Sequence, residues 1–121
     1  MERILVADDD ALVCWSLHQA LIREGYEVQL ASSGDEALDK VKATNFNLII
    51  TDLVMPGLSG IELIRRIKEA FPEIGVGVIT GHGSRDVERE VREKGVIFYI
   101  EKPFQIEEIK QIVKMILRCA S

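Results

Sequence analysis

Three consecutive carboxylates, Asp8-Asp9-Asp10, follow the first apolar run of this chain, and a fourth, Asp52, follows another. A hydroxyl, Thr80, closes a further run, and an amine, Lys102, follows the last one together with Pro103. Carboxylates gathered in one cleft repel each other. At about 4 Å and an effective dielectric of about 20, each like-charged pair costs about 4 kcal/mol. Lys102 supplies one compensating charge, and a hard divalent cation is the natural second. Oxygen-only ligands, with no His or Cys among them, point to Mg2+, which favours one or two carboxylates, a carbonyl and several waters. A carboxylate can also attack phosphorus and give an aspartyl phosphate. Phosphoryl transfer is catalysed mainly by positioning and charge neutralisation, which a magnesium ion and a lysine both provide. No general base is needed, because an ionised carboxylate is already the attacking form.

These groups must be brought together by the elements that carry them. Five short apolar runs alternate with five segments of helical period: Ile4-Leu5-Val6-Ala7, Val28-Gln29-Leu30-Ala31, Leu48-Ile49-Ile50-Thr51, Val76-Gly77-Val78-Ile79 and Ile97-Phe98-Tyr99-Ile100. The first and third are almost continuously apolar, as central parallel strands covered on both faces are. Such alternation predicts an α/β domain: a parallel sheet with right-handed crossovers and helices on both sides. In that architecture ligands bind beyond the carboxyl ends of the strands. Asp8, Asp9, Asp52, Thr80 and Lys102 all fall at those ends.

The helix signals differ in strength. Leu12, Val13, Leu17, Ala20 and Leu21 form one stripe that ends before Gly25. Ser33-Gly34-Asp35-Glu36 opens a second helix with acids in its first turn, where the dipole favours them. Ser59 is a cap for the third, which is expected to bury Ile61, Ile64 and Ile67 and stop before Pro72. Ile106, Ile109, Ile112, Val113, Ile116 and Leu117 mark a strongly amphipathic fifth helix. The fourth, Arg85 to Lys94, has only Val87 and Val91 as apolar residues and should be the least firmly anchored. Asp10 reads as a solvated loop acid or helix cap, Trp15 as a partly buried residue of the first helix, and His18 as a surface residue of it.

Length and composition narrow the classes of function. At 121 residues the chain suits one domain, expected over 1–121, and a hydrophobic fraction of 47% is enough for a core. No apolar run approaches the roughly 18 residues of a membrane span, and the run after Met1-Glu2-Arg3 is too short for a secretory signal, so a cytoplasmic location is expected. Cys14 and Cys119 have no metal-ligand spacing and are expected to be reduced, packed thiols. A formal net charge of −5 disfavours nucleic acid as a direct partner.

Four stretches carry a resemblance: Ile4-Leu5-Val6-Ala7-Asp8-Asp9-Asp10, Thr51-Asp52-Leu53-Val54-Met55-Pro56-Gly57, Ile79-Thr80-Gly81-His82-Gly83 and Ile100-Glu101-Lys102-Pro103-Phe104. In this order and spacing the chain resembles the receiver domains of bacterial response regulators over essentially its whole length. The resemblance implies a flavodoxin-like (βα)5 fold with sheet order 2-1-3-4-5, the doubly wound order for which a receiver protein is a standard example. It implies Asp52 as phosphoacceptor, Asp9 as a direct Mg2+ ligand, Asp8 as a carboxylate holding the ion through water, and the Val54 carbonyl as the backbone ligand. Lys102 would contact the phosphoryl oxygens, with a cis bond to Pro103. Thr80 would be the switch hydroxyl and Tyr99 the switch aromatic. Partners implied are a sensor histidine kinase or phosphotransfer protein, and an output domain or partner met through the fourth helix, fifth strand and fifth helix. A homodimer on phosphorylation is among the outcomes it allows.

The chain departs from the family pattern at Gly81, where alanine is commoner, at the heavily charged fourth helix, and at Gly95-Val96-Ile97. Trp15 and Thr80-Gly81-His82-Gly83 lean toward receivers of transcriptional activators. Val54 and His82 are expected at the mouth of the site. The expected action is a population shift: phosphorylation adds about two negative charges at Asp52, draws in Thr80 and Lys102, and lets Tyr99 turn. Catalysis would be limited to the chain's own phosphorylation and dephosphorylation. A phosphatase of the haloacid-dehalogenase type would need a second Asp where Val54 stands. A flavin or nucleotide binder would need a phosphate loop where Asp8-Asp9-Asp10 would repel the ligand. A receiver that binds partners without being phosphorylated would not need all five functional positions, which are intact here.

Overall fold

The computed structural model describes the backbone of residues 2–120 and the side chains of residues 2–117. Strands β1 (Arg3–Ala7), β2 (Glu27–Ala31), β3 (Leu48–Thr51), β4 (Gly75–Thr80) and β5 (Phe98–Glu101) alternate with helices α1 (Ala11–Arg23), α2 (Gly34–Ala43), α3 (Gly60–Ala70), α4 (Arg85–Glu93) and α5 (Ile106–Ala120). All neighbouring strands pair in parallel, in the order β2-β1-β3-β4-β5. Among the described residues, no helix is long and apolar enough to cross a membrane.

The continuous apolar runs have a direct cause in this layering. Successive strand residues face opposite sides, and both sides are covered. Leu5, Ala7, Ile49, Val76 and Val78 pack against Ala37, Leu38 and Val41 of α2, Leu63, Ile64 and Ile67 of α3 and Val91 of α4. Ile4, Val6, Leu48, Ile50, Ile79 and Phe98 pack against Cys14, Leu17 and Leu21 of α1 and Ile109, Val113 and Leu117 of α5. β4 pairs Gly77 with Phe98, and the Phe98 ring occupies the space a Cβ at Gly77 would fill.

The helix starts are set by capping side chains. Asp10 accepts from the Leu12 and Val13 N–H groups, Ser33 from Glu36, Ser59 from Glu62 and Ser84 from Val87. Asp10 is therefore a cap, one of the two roles its position allowed. α4 fully buries Val91 alone, in keeping with its sparse apolar content.

Four sequence expectations need correction. Leu12 is 69% exposed and Trp15 61% exposed, because α1 turns Cys14, Leu17 and Leu21 inward instead. In α3 the fully buried set is Leu63, Ile64 and Ile67, while Ile61 is only half-buried. β5 starts one residue later than its apolar run, leaving Ile97 exposed next to the left-handed turn at Gly95. His18 is half-buried beside the first strand end rather than fully on the surface. Cys14 is buried and reduced as expected, with its thiol donating to the Asp8 carbonyl at 3.2 Å. The Cys119 side chain lies outside the described residues.

α3 begins hard against the loop after β3. A Cβ at Gly60 would lie 2.1 Å from the Asp52 carbonyl oxygen and 2.6 Å from the Leu53 Cα, both backbone atoms that cannot swing aside. Gly60→Ala is expected to cost about 1–3 kcal/mol, as overpacking of a tight site does. Denaturant unfolding would check this; an unchanged midpoint would mean that the approach is not needed.

Candidate functional site

Register brings the chemistry to one edge. β1 and β3 end level, Ala7 opposite Thr51, so Asp8 and Asp52 leave the sheet side by side. The Asp52 N–H donates to the Ala7 carbonyl at 2.9 Å and so fixes that alignment. β4 pairs Val78 with Thr51. It therefore runs on to Thr80, where the Lys102 N–H donates to the Thr80 carbonyl at 2.8 Å.

Asp8 and Asp52 are 3% and 4% exposed, while Asp9 is open to solvent. One oxygen from each of these three carboxylates lies within 4.8 Å of the others. Lys102 Nζ stands 2.9 Å from Asp8 Oδ2 and 3.0 Å from Asp52 Oδ2. The other Asp52 oxygen, Oδ1, accepts from the Leu53 N–H at 2.6 Å and the Val54 N–H at 3.4 Å. Asp8 Oδ1 accepts from the Asp10 N–H at 2.9 Å. Each buried carboxylate thus has one oxygen tied to backbone and one facing the amine.

Burial pushes the Asp8 carboxyl above the usual carboxylate range, and the Asp52 charge adds to this; Lys102 and the Asp10 N–H only partly oppose it. Burial by itself would lower the Lys102 amine, but its bonds to Asp8 and Asp52 outweigh that and raise it. Burial, with the Asp8 charge, also pushes the Cys14 thiol up to about 11, so it stays protonated.

The Asp8 shift has a stability consequence. The folded state holds this proton more tightly than the unfolded chain does. The contribution of this group to stability is therefore fully present below the ordinary value of 3.8 and is lost as pH climbs through the raised one. Asp8→Asn removes that loss and is expected to raise the thermal midpoint at neutral pH by about 4 °C. A lowered midpoint would show that the Asp8–Lys102 attraction outweighs the desolvation of the acid.

The remaining expected positions fall around this cluster. Thr80 is fully buried, and its hydroxyl accepts from the His82 N–H at 3.1 Å. Lys102-Pro103 is cis, as expected. Val54 and His82 are exposed beside the cluster. A Cβ at Gly81 would sit 3.7 Å from the Lys102 stem, an ordinary contact, so alanine would fit there as well. Tyr99 lies on the α4 side of the sheet, half-buried, with its hydroxyl enclosed.

Sequence reasoning missed Asp35. Its carboxylate crosses from the start of α2 to accept the Leu58 N–H at 3.0 Å, over the left-handed Gly57. It thereby braces the loop that carries Val54. No local signal marks that role, since the acid reads equally well as a first-turn dipole partner.

This fold, with acids and an amine at its strand ends, defines a receiver-type signalling domain, and comparison with known proteins gives the family. The profile of the response regulator receiver domain matches residues 4–114, and the chain belongs to that family. Sporulation initiation phosphotransferase F of Bacillus subtilis is 35% identical, over 96% of this chain and 94% of that protein. The transcriptional regulatory protein ResD of Bacillus subtilis is 41% identical over 98% of this chain, which spans 49% of ResD. The solution structure of the beryllofluoride-activated NtrC4 receiver domain dimer superposes with a TM-score of 0.92 at 38% identity, covering 100% of both chains.

Proposed function

We propose that this receiver domain, over residues 1–121, accepts a phosphoryl group on Asp52 from the phosphohistidine of a sensor kinase or phosphotransfer protein. An Asp52 oxygen bonds to phosphorus as the bond to the donor imidazole breaks, and the imidazole keeps the electron pair. The observation that carries this reading is the Asp52 carboxylate itself. It is buried, held by backbone N–H groups on one oxygen, and faced by Lys102 on the other.

Three clustered carboxylates with no nitrogen or sulfur donor suit a hard divalent cation. Asp9 and Asp52 would bind Mg2+ directly, with the Val54 carbonyl, and Asp8 through water. When bound, the ion neutralises charge on the phosphoryl oxygens. Lys102 would leave its carboxylates for those oxygens, and the Thr80 hydroxyl would turn from the His82 N–H toward them. Tyr99 then adjusts, and the α4–β5–α5 face changes the partner or output domain it favours, in transcriptional regulation as for ResD. The domain works in the cytoplasm, binds no nucleic acid or membrane itself, and catalyses only its own phosphorylation and dephosphorylation. A homodimer is one form the output can take, as the NtrC4 receiver adopts.

Incubation with acetyl phosphate and Mg2+, followed by intact mass, tests this reading. One phosphoryl group should be gained, and a chelator should prevent it. No gain under either condition would refute it.

A further inference from the structure

The start of α2 and the loop after β3 meet at one residue, Leu58. A Cβ at Gly34, the first residue of α2, would lie 2.1 Å from the Leu58 carbonyl oxygen, so the bare helix start rests on that peptide. The next residue, Asp35, accepts the Leu58 N–H on Oδ2 at 3.0 Å. A Cβ at Gly57 would come 2.0 Å from the same Oδ2. Gly57 is left-handed as well, so conformation and space both call for a glycine beneath the acid.

The two acids in the first turn of α2 have different tasks. Glu36 turns back on its own helix start and accepts from the Ser32 N–H and hydroxyl, at 2.7 and 3.1 Å. Asp35 reaches instead to a partner 23 residues along the chain.

The donor it takes is the one that would close a turn. Proline followed by a left-handed glycine is the central pair of a type II turn, whose fourth N–H commonly bonds the first carbonyl. Over Met55-Pro56-Gly57-Leu58 that N–H goes to Asp35. The turn is therefore held from α2. It begins at the residue after Val54, whose carbonyl is the backbone ligand proposed for the cation. Met55 is buried, so the loop is tied at two points, by the Met55 side chain in the core and by Asp35 from outside.

We propose that Asp35 is a positioning residue for the cation: its hold on Leu58 sets the turn, and the turn sets the Val54 carbonyl. This role rests on the cation site proposed above; the bond to Leu58 does not. Asp35 stands outside the carboxylate cluster, so its effect runs through the loop. A partner that touches a metal ligand directly is typically worth about 10–100-fold in affinity, and Asp35, one turn removed, should be worth about fivefold.

The test compares wild type, Asp35→Ala, Asp35→Asn and Asp39→Asn by NMR titration with Mg2+, read on the amide signals of Asp9 and Asp52. Asparagine at 35 keeps an acceptor oxygen and loses the charge, while Asp39→Asn removes another exposed charge of α2. Asp35→Ala should displace the Leu58 amide signal before any ion is added and weaken Mg2+ binding about fivefold. Asp35→Asn and Asp39→Asn should both bind Mg2+ nearly as wild type does. Equal weakening in Asp35→Asn and Asp35→Ala would make the effect one of charge. Unaltered binding in Asp35→Ala, or an unmoved Leu58 amide, would detach the Val54 carbonyl from this bond. Any of these results overturns the positioning role alone. A wild type whose Asp9 and Asp52 signals ignore Mg2+ would refute the cation site itself, and the role of Asp35 with it.

Discussion

Asp52→Asn should abolish phosphoryl acceptance while leaving the fold intact. The amide oxygen can still accept from the Leu53 N–H, so the local geometry survives. What is lost is the anionic oxygen facing Lys102, and a neutral amide does not attack phosphorus under these conditions. The expected result is no phosphoryl gain by intact mass over a time in which wild type is fully converted. Stability should rise, because one of the crowded charges has gone. A variant that is phosphorylated at the wild-type rate would move the acceptor elsewhere, with Asp8 and Asp9 the first candidates.

Lys102→Met should separate two roles of one amine. Lys102 is the cation that bridges both buried carboxylates, at 2.9 and 3.0 Å. Without it, backbone N–H groups are the donors left to these carboxylates among the described residues, and an added divalent cation becomes the main compensating charge. Mg2+ should then bind about tenfold more tightly, since a like charge no longer competes for the same oxygens. Phosphoryl acceptance should nonetheless slow by about 100-fold, the usual effect of deleting one group that stabilises developing charge. Titration with Mg2+ and timed intact mass measure the two effects on one sample. Weaker Mg2+ binding would mean that Lys102 organises the carboxylates more than it competes for them.

The site was legible in the sequence because its parts sit at strand ends, and strand ends are what apolar runs locate best. Asp8, Asp52, Thr80 and Lys102 needed only the alternation of elements to be placed on one edge, and the resemblance then assigned each a role. The cap at Ser59 was readable for a similar reason: its partner, Glu62, is three residues on. Rotation of α1 was not. Its apolar residues span a wide arc, so Leu12 and Trp15 fit an inward stripe as well as Cys14 did, and only packing against β1 and α5 decides which turns in. The start of β5 shifted because Ile97 can extend the apolar run without being covered at the sheet edge. Gly60 shows the other limit. A Cβ there would meet the Asp52 carbonyl, and spacing carries no trace of that neighbour. Asp35 belongs with it.

The most direct measurement is a crystal structure grown with Mg2+ and beryllofluoride. Beryllofluoride is expected on Asp52, with an ion held by Asp9, Asp52 and the Val54 carbonyl and with Lys102 moved from the Asp52 oxygen to the fluorine atoms. Asp8, Asp9 and Asp52 pointing apart, with no ion among them, would contradict phosphoryl acceptance at this site.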